Sequence, residues 1–435
     1  MPANIGEEDA QYALDIVKAI CAEVGPGLPG STQERERAAT IKKELESHLG
    51  AGNVGIEEFT FAPWAFLSVY PLSAFFMLMA ALLNIAMGRF TGAPPWLSAM
   101  AALAFSILSP LPFIYEFVLG MELIDPFFKK KQSVNVIGRL RKPGTQSVKR
   151  LLILSGHHDS APENTWLRFV GYGFFLLSAT WFFGLVSMLA MSAIQLTGVI
   201  AGNDNLIRAG TLGWVLLAYP IVPSIIFGMF FNRGRKNGGT VPGAADNLSA
   251  SALAVAMCRF LVNNPDYLPA DTEIRFVSFG SEEAGYRGSR RYVARHLKDL
   301  KRLEARLLNL ETVAYPEIVI FTSDVNGTVQ NSPEMVKSVV AAAARAGVPY
   351  KLQPATLGVG NDSGPFSRAG LKAATVLACK FPQQMVAFYH QKWDRPDILT
   401  LDPLLNVLRL TFEWVCNDGE PAKQPSKPQL EAIKL

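Results

Sequence analysis

Four stretches of this chain, residues 64–87, 96–115, 169–203 and 209–231, contain no Asp, Glu, Lys or Arg. Each is about long enough to cross a ~30 Å hydrocarbon core at ~1.5 Å per residue. Trp and Tyr stand near several of their ends, as interfacial anchors do. Buried core helices rarely run so far without a charge, so the pattern predicts four transmembrane helices, with Pro110 and Pro112 kinking or shortening the second. The composition agrees: 49% hydrophobic and 18% charged residues, with a mean hydropathy of +0.20, are too apolar for an ordinary soluble enzyme of 435 residues.

The four helices fall into two pairs, joined by the short links GRFTGAPP and AGNDNLIR. Each pair is a hairpin that returns to the side it left, so the polar segments before, between and after the pairs share one side of the membrane. That side carries Lys129, Lys130, Lys131, Arg168, Arg233, Arg235 and Lys236 beside the helix ends, whereas the far links hold only Arg89 and Arg208. The positive-inside rule then predicts a multi-pass protein of the inner or plasma membrane with its polar domain in the cytoplasm. The acidic start MPANIGEEDAQ, which lacks a signal-peptide layout, fits that side. Four cysteines without CxxC spacing read as reduced core thiols. The net charge of +4 is small and largely juxtamembrane, which points to lipid headgroups and not to nucleic acid.

With the hairpins set aside, β and α signals alternate. QSVNVIGRL, RLLILSG, TEIRFVSFG, RLLNL, EIVIFTS and KAATVLAC read as strands. ATIKKELESHL, NLSASALAVAMCRFL, SRRYVARHLKDLKRLEARL, SPEMVKSVVAAAARAG and DPLLNVLRLTFEWVC read as helices. This alternation predicts an α/β domain with a mixed, largely parallel central sheet flanked by helices.

The chemistry-bearing residues cluster where such strands end. RLLILSG runs into His157, His158 and Asp159; TEIRFVSFGS into Glu282 and Glu283; RLLNL into Glu311. In open α/β sheets the C-terminal strand edge is where active sites are built. GAADNLSASA adds Asp246 and Asn247 at a helix entrance, and VAFYHQKWD adds His390. Taken singly, Asp246 reads equally as an N-cap, the paired glutamates as a solvated turn, and His390 as a surface histidine. Taken together, imidazole and carboxylate donors without cysteine suit zinc, or less specifically manganese or cobalt.

In order along the chain, GHHDS, GAADNLSASA, SEEAGYRGS, LNLETV, NDSGPF and FYHQKWD resemble the motifs of the zinc aminopeptidase family that includes glutamate carboxypeptidase II and glutaminyl cyclase, metallopeptidase family twenty-eight. GPGLPGSTQERERAATIKKEL resembles the family's opening segment. The resemblance implies a zinc-exopeptidase-like domain of residues 1–61, 121–167 and 232–418, interrupted by transmembrane hairpins at 62–120 and 168–231 and followed by a flexible tail at 419–435. It implies two zinc ions: His157 and Glu311 on one, Glu283 and His390 on the other, and Asp246 bridging them. Asp159 is expected to hydrogen-bond His157 from behind, Glu282 to act as general acid and base, and Tyr389 to contact the oxyanion or substrate. His158 occupies the variable position of its motif and reads as a lining residue.

The implied activity is a membrane-anchored metallo-aminopeptidase acting on peptides. Three departures stand out: Glu311 where many members have Asp, Ala250 where the helix motif usually has Gly, and Ser363 where His is common. Rival readings are a non-catalytic receptor or scaffold on the same fold, which would have degraded metal positions, and a glutaminyl cyclase-like acyltransferase, a class that retains the equivalents of Asp246, Glu283 and His390 only. GNDSGPF also looks superficially like a serine-peptidase nucleophile loop, but no all-β pattern or partner histidine motif accompanies Ser363. Arg287, Arg290 and Arg368 are candidates for holding a substrate carboxylate, should the enzyme be a carboxypeptidase.

Overall fold

A computed structural model of the chain describes residues 5–87, 94–208, 210–229 and 241–417. Arg89, Arg233, Arg235, Lys236 and the tail from Gly419 lie outside the described residues. The chain divides into two compact units, one formed by Met1–Phe61, Lys130–Ala161 and Thr240–Leu435, the other by Ala62–Lys129 and Pro162–Gly239.

The first unit is built on an eight-stranded sheet. Its strands are β1 (Val54–Phe61), β2 (Lys131–Arg141), β3 (Arg150–His157), β4 (Thr272–Phe279), β5 (Arg306–Glu311), β6 (Ile318–Phe321), β9 (Tyr350–Gln353) and β10 (Lys372–Leu377); β7 (Ser323–Asp324) and β8 (Val329–Gln330) form a separate small ladder. The sheet order is β1-β2-β4-β3-β5-β10-β6-β9. The central neighbours β4, β3, β5 and β10 run parallel, while β1–β2, β2–β4 and β10–β6 are antiparallel. All six strands read from the sequence are present. β1 and β9 were not anticipated, since β9 is mostly exposed and β1 alternates only loosely between buried and exposed positions. β3 and β5 are buried along their lengths, as parallel strands covered on both faces must be.

Among the described residues, the helices against the sheet include α1 (Glu7–Glu23), α2 (Thr32–Leu49), α3 (Ser249–Asn263), α4 (Arg287–Arg302), α5 (Pro333–Ala346), α6 (Ser363–Arg368) and α7 (Leu401–Cys416). The expected helix over 289–307 stops at Arg302. Glu304 takes a left-handed φ of 44°, which turns the chain into β5. The main core packs α1, α2, α3, α5 and α7 against one face of the sheet, and a smaller one packs α4 against the other. All four cysteines are free thiols; Cys258 and Cys379 are buried, Cys21 and Cys416 half-buried.

Both insertions leave and re-enter this unit at adjacent points. Phe61 and Lys131 are paired across β1 and β2, so residues 62–130 replace a β-hairpin turn. A Cβ added to Gly243 would lie 2.8 Å from Ser160 Cβ, so the second excursion also starts and ends at one place. Segments joined this way lengthen a chain without disturbing the sheet.

In the second unit, helices Val69–Ala86, Pro95–Leu108, Gly173–Ala201, Gly210–Ala218 and Ile221–Gly228 pack around Tyr70, Phe113, Trp181 and Phe227, with Trp181 stacked on Phe227 at 4.8 Å. Buried Asn84 donates to Ser192 at 2.7 Å, and Ser192 pairs with Ser106 at 2.7 Å, linking three of these helices. The second expected span is interrupted at its prolines: the α-helix ends at Leu108, and residues 113–118 continue in wider turns, Leu119 N–H bonding Ile114 C=O. Gly171, at φ 51°, separates the short helix Thr165–Val170 from the 29-residue helix Gly173–Ala201. Leu176, Val186, Ile200 and Leu212 point outward, each more than two-thirds exposed.

By length and composition, five helical runs in the described residues are apolar enough to cross a membrane: Phe66–Ala86, Pro95–Val118, Gly173–Ala201, Asp204–Gly228 and Ala244–Asn263. The fifth was not among the four expected. It contains α3, carries Asp246 and Arg259, and is 89% buried inside the first unit.

The tightest approach in the first unit lies between β3 and α3. A Cβ on Gly156 would sit 2.5 Å from Ala250 Cβ and 2.9 Å from Ser251 N. The methyl of Ala250, where the family motif usually has Gly, thus occupies space that Gly156 leaves open. We expect Gly156→Ala to lower unfolding free energy by about 1–3 kcal/mol through overpacking, and Ala250→Gly to recover much of that loss in the double variant. Denaturant titration of the four proteins checks this; strict additivity would refute the coupling.

Candidate metal centre

Three adjacent strands deliver ligand-type side chains to one edge of the sheet. His157 is the last residue of β3, Glu311 the last of β5, and Glu282 and Glu283 follow β4 within four residues. Asp246 lies in the turn that enters α3, and His390 follows the short helix Gln383–Ala387. His157, Asp246, Glu282, Glu283 and Glu311 are all buried, while His390 is half-buried.

The two histidines meet at Asp246. Its Oδ1 is 3.3 Å from His157 Nε2, and its Oδ2 is 3.1 Å from His390 Nε2. Glu311 Oε1 stands 3.8 Å from His157 Nε2, and Glu283 Oε2 3.2 Å from His390 Nε2. The fold thus brings together His157, Asp246 and Glu311 as one group and Asp246, Glu283 and His390 as another, their donor atoms within 4.8 Å of one another; His157, Glu282 and Glu283 form a third such group. Glu282 Oε2 is 3.7 Å from His157 Nε2.

Hydrogen bonds to the backbone hold these loops. Asp159 Oδ1 is 3.4 Å from His157 Nδ1, a long approach, and both Asp159 oxygens accept backbone amides, from Glu282 and Glu283, at 3.0 Å each. Its carboxylate therefore clamps the glutamate turn as well as facing the imidazole. Asp394, in the FYHQKWD motif but given no role by sequence, accepts the amides of Ala245 and Asp246 at 2.6 and 3.1 Å. Asn247 donates to Leu310 C=O and Glu311 Oε2, both at 3.0 Å, and accepts from Thr312 N–H at 3.1 Å. Ser281, Tyr286, Thr312 and His390 all adopt left-handed φ between 41° and 59°. Non-glycine residues in that region mark backbone held in place by its surroundings.

His158 is fully buried, not lining: Nδ1 meets Ser278 Oγ at 2.9 Å, and burial lowers its pKa to about 4. The Tyr389 ring stacks on His390, with centroids 3.9 Å apart. Burial and the surrounding carboxylates Asp246, Glu283, Glu311 and Glu282 hold its phenol protonated. Ser363 is buried and donates to the Asp324 carboxylate while accepting from Thr375 at 2.9 Å. A serine bonded this way is a structural member of a polar network, which removes the serine-nucleophile reading. Arg287 is buried with Nε on Ala284 C=O at 2.9 Å, whereas Arg368 is exposed.

The electrostatics are those of a site crowded with acid. Burial, then Asp362 and Glu283, push Glu282 well above the usual carboxyl range. Burial pushes Glu311 up to about 7 and raises Glu283. Burial opposes charge on His390, but Glu283 and Asp246 raise it to about 10; His157 is likewise driven well up by Asp159, Asp246 and Glu311. Asp362, which sequence reasoning passed over beside Ser363, is a buried carboxyl raised to about 8. Asp246 Oδ2 and Glu283 Oε1 are buried without a hydrogen-bond donor in bonding geometry. Inward-facing acceptors lacking donors, imidazoles opposite them and a thiolate-free donor set fit divalent zinc.

Comparison with known proteins finds relatives of the fold and of the stretch that carries most of these residues. Residues 232–415 match the model of Peptidase family M28, a stretch that contains Asp246, Glu282, Glu283, Glu311 and His390. Aminopeptidase YwaD of Bacillus subtilis (strain 168) is 31% identical over 196 residues, 44% of this chain and 41% of that protein. The match thus spans about two fifths of that curated relative's length. Among solved structures, a zinc aminopeptidase from Bacillus subtilis aligns with a TM-score of 0.52 at 16% identity over 96% of both chains. An aminopeptidase from Aneurinibacillus sp. strain AM-1 gives 0.53 at 15% over 97% of this chain and 99% of its own. A glutaminyl cyclase from an Acidobacteriales bacterium gives 0.53 at 14% over 97% and 96%. At these identities the structures speak for the fold alone, and the family resemblance rests on residues 232–415, which match Peptidase family M28.

Proposed function

We propose that this chain is a membrane-anchored, zinc-dependent exopeptidase, an aminopeptidase that removes residues from the free amino end of peptides. The observation that carries the reading is the two-sided engagement of Asp246, each oxygen facing a different histidine. His157 and Glu311 would hold one ion, Glu283 and His390 the second, and Asp246 both. Three ligand carboxylates and Glu282 bring four negative charges, which two dications match. Bound there, such ions polarise a peptide carbonyl and bring the pKa of water toward neutrality.

The chain's own groups supply the proton traffic. Glu282 lies beside the ligands without a place in the bridging pair. Its carboxylate takes a proton from the attacking water as the O–C bond forms, and returns it to the amine nitrogen as the C–N bond breaks. The Tyr389 phenol, kept protonated, is a donor for the developing oxyanion. The carboxylates attract the substrate's α-ammonium group, which favours the amino end. Asp159 and Asp394 orient the ligand loops through backbone amides.

The second unit supports an anchoring role, because its outward Leu, Val and Ile side chains need an apolar surrounding. The exposed Lys129, Lys130 and Lys131 support a cytoplasmic catalytic unit.

Metal analysis should find two zinc ions per chain and turnover of aminoacyl anilides in preference to N-blocked peptides. Glu282→Gln should keep both ions and lower kcat by about 10²–10⁴-fold. One ion per chain with cyclisation of N-terminal glutamine would replace this reading by a cyclase; no metal and no activity would leave a scaffold.

Glu34 and Asp394 reach about 8 and Glu311 about 7, each chiefly by burial. A carboxyl whose folded pKa is raised stabilises the fold fully below its unfolded pKa, about 4, and that contribution is lost as pH rises through the folded value. The metal-free chain is therefore expected to lose thermal stability as pH rises from about 5 to about 8. The zinc-loaded chain should lose less over the same interval. Melting curves of EDTA-treated and zinc-loaded protein across this interval test it, and a metal-free melting temperature that stays level or rises contradicts it. Reporter fusions after Asn203 and Asn417 should report opposite sides of the membrane; the same side would refute the topology.

A further inference from the structure

One turn of α2 reaches three of the ligand loops at once. Arg37 is fully buried and spends all three donor nitrogens on carbonyls of other loops: Nε on Gly25 at 2.8 Å, Nη1 on His158 at 3.1 Å and Nη2 on Pro242 at 2.6 Å. His158 follows the ligand His157, and Pro242 opens the loop that carries Asp246. Glu34, one turn earlier and equally buried, accepts from Gly30 N–H at 2.6 Å, Ser133 Oγ at 2.9 Å and Ser281 Oγ at 2.7 Å. Ser281 immediately precedes Glu282 and Glu283. The Gly-rich segment before α2 makes room for this pair: a Cβ on Gly27 would lie 2.7 Å from Arg37 Cδ. Neither side chain is aimed into the metal centre, and neither is explained by packing alone, since burying two charges is costly unless their partners are fixed.

We infer that Arg37, with Glu34, is the positioning pair of the metal centre, fixing the loops of His157, Asp246 and Glu282–Glu283 in their ligand geometry before metal arrives. This rests on the metallopeptidase reading above. Arg37 also ties His158 to Pro242 across the root of the second insertion, where Ser160 and Gly243 approach closely. A planar guanidinium can serve three diverging acceptors, whereas a lysine ammonium is a single point at the end of its stem.

The test uses the full chain in detergent. Zn2+ and Co2+ affinities of EDTA-stripped wild type, R37K and E34Q are measured by chelator competition, and the Co2+ absorption spectrum reads the ligand field. We expect R37K to lose affinity by about 10–100-fold, the range for groups that orient ligands, with an altered Co2+ spectrum, lower kcat and unchanged KM at saturating metal. E34Q keeps an acceptor for the two serines and loses the one for Gly30, so its loss is smaller but in the same direction. Far-UV circular dichroism and gel filtration should match wild type. Wild-type affinity and spectrum in R37K overturn the inference; if R37K does not fold, unchanged metal affinity in E34Q overturns it. A wild-type chain that binds neither metal overturns the underlying reading instead, a result distinct from a metal-binding wild type with unaffected variants.

Discussion

The structure is organised around mutual repulsion of carboxylates gathered in a dry place. Asp159, Asp246, Glu282, Glu283, Glu311 and Asp362 are all buried near two histidines. Isolated charges there would cost several kcal/mol each in desolvation. The fold offsets this in layers. Histidines face the inner oxygens, backbone amides face the outer ones, and the guanidinium of Arg37 lies behind, its pKa drawn down to about 10 by burial. What the protein atoms leave incompletely compensated is the inner edge, where Glu283 Oε1 meets no donor in bonding geometry and Asp246 Oδ2 faces only His390 Nε2, at 3.1 Å. That incompleteness is what the metal-centre proposal rests on, as opposed to a closed salt-bridge cluster.

Sheet topology explains why those acids meet. β4, β3 and β5 are neighbours and parallel, so their C-terminal ends emerge side by side although β3 precedes the other two by more than a hundred residues of chain. The register pairs His157 with Phe279 and Ser155 with Asn309, which levels His157 with the end of β4 and with Glu311. Close seating of α3 over this edge, possible because Gly156 has no side chain, brings Asp246 to the same height. Chain connectivity is otherwise indifferent to what lies between the strands, and the first insertion occupies a hairpin turn without altering the β1–β2 register.

Periodicity and charge made the central strands, the helices and the ligand types legible, because parallel buried strands and uncharged spans leave strong one-dimensional signals. Asp394 and Arg37 were not legible as site residues, and Asn247 was legible only by its place beside Asp246 at a helix entrance. Asp394 and Arg37 act through backbone amides and carbonyls far away in sequence, and such contacts leave no mark on the residue types at the other end. His158 shows the opposite limit. Its neighbour to a ligand suggested a lining position, yet the alternation of a strand end sends it into the interior, onto Ser278. Ala250 could be read as a departure from the family motif but not as a compensated one, since its compensation, Gly156, lies 94 residues earlier.

An insertion between two residues that must converge, His157 and Asp246, ought to be hazardous: any looseness at its root is transmitted directly to the site. The root is instead tied from several sides. Ser160 donates its amide to Gly27, Arg37 spans His158 and Pro242, and Asp394 takes two amides beyond. Because loop-closure entropy grows only as the logarithm of length, lengthening the excursion costs little once its ends are fixed. The fixing is done by polar side chains that α2 and the C-terminal motif supply, segments at opposite ends of the sequence. Arg37 and Asp394, by tying down the ends of the excursion, thus make it physically tolerable to place helices apolar enough for a bilayer between His157 and Asp246.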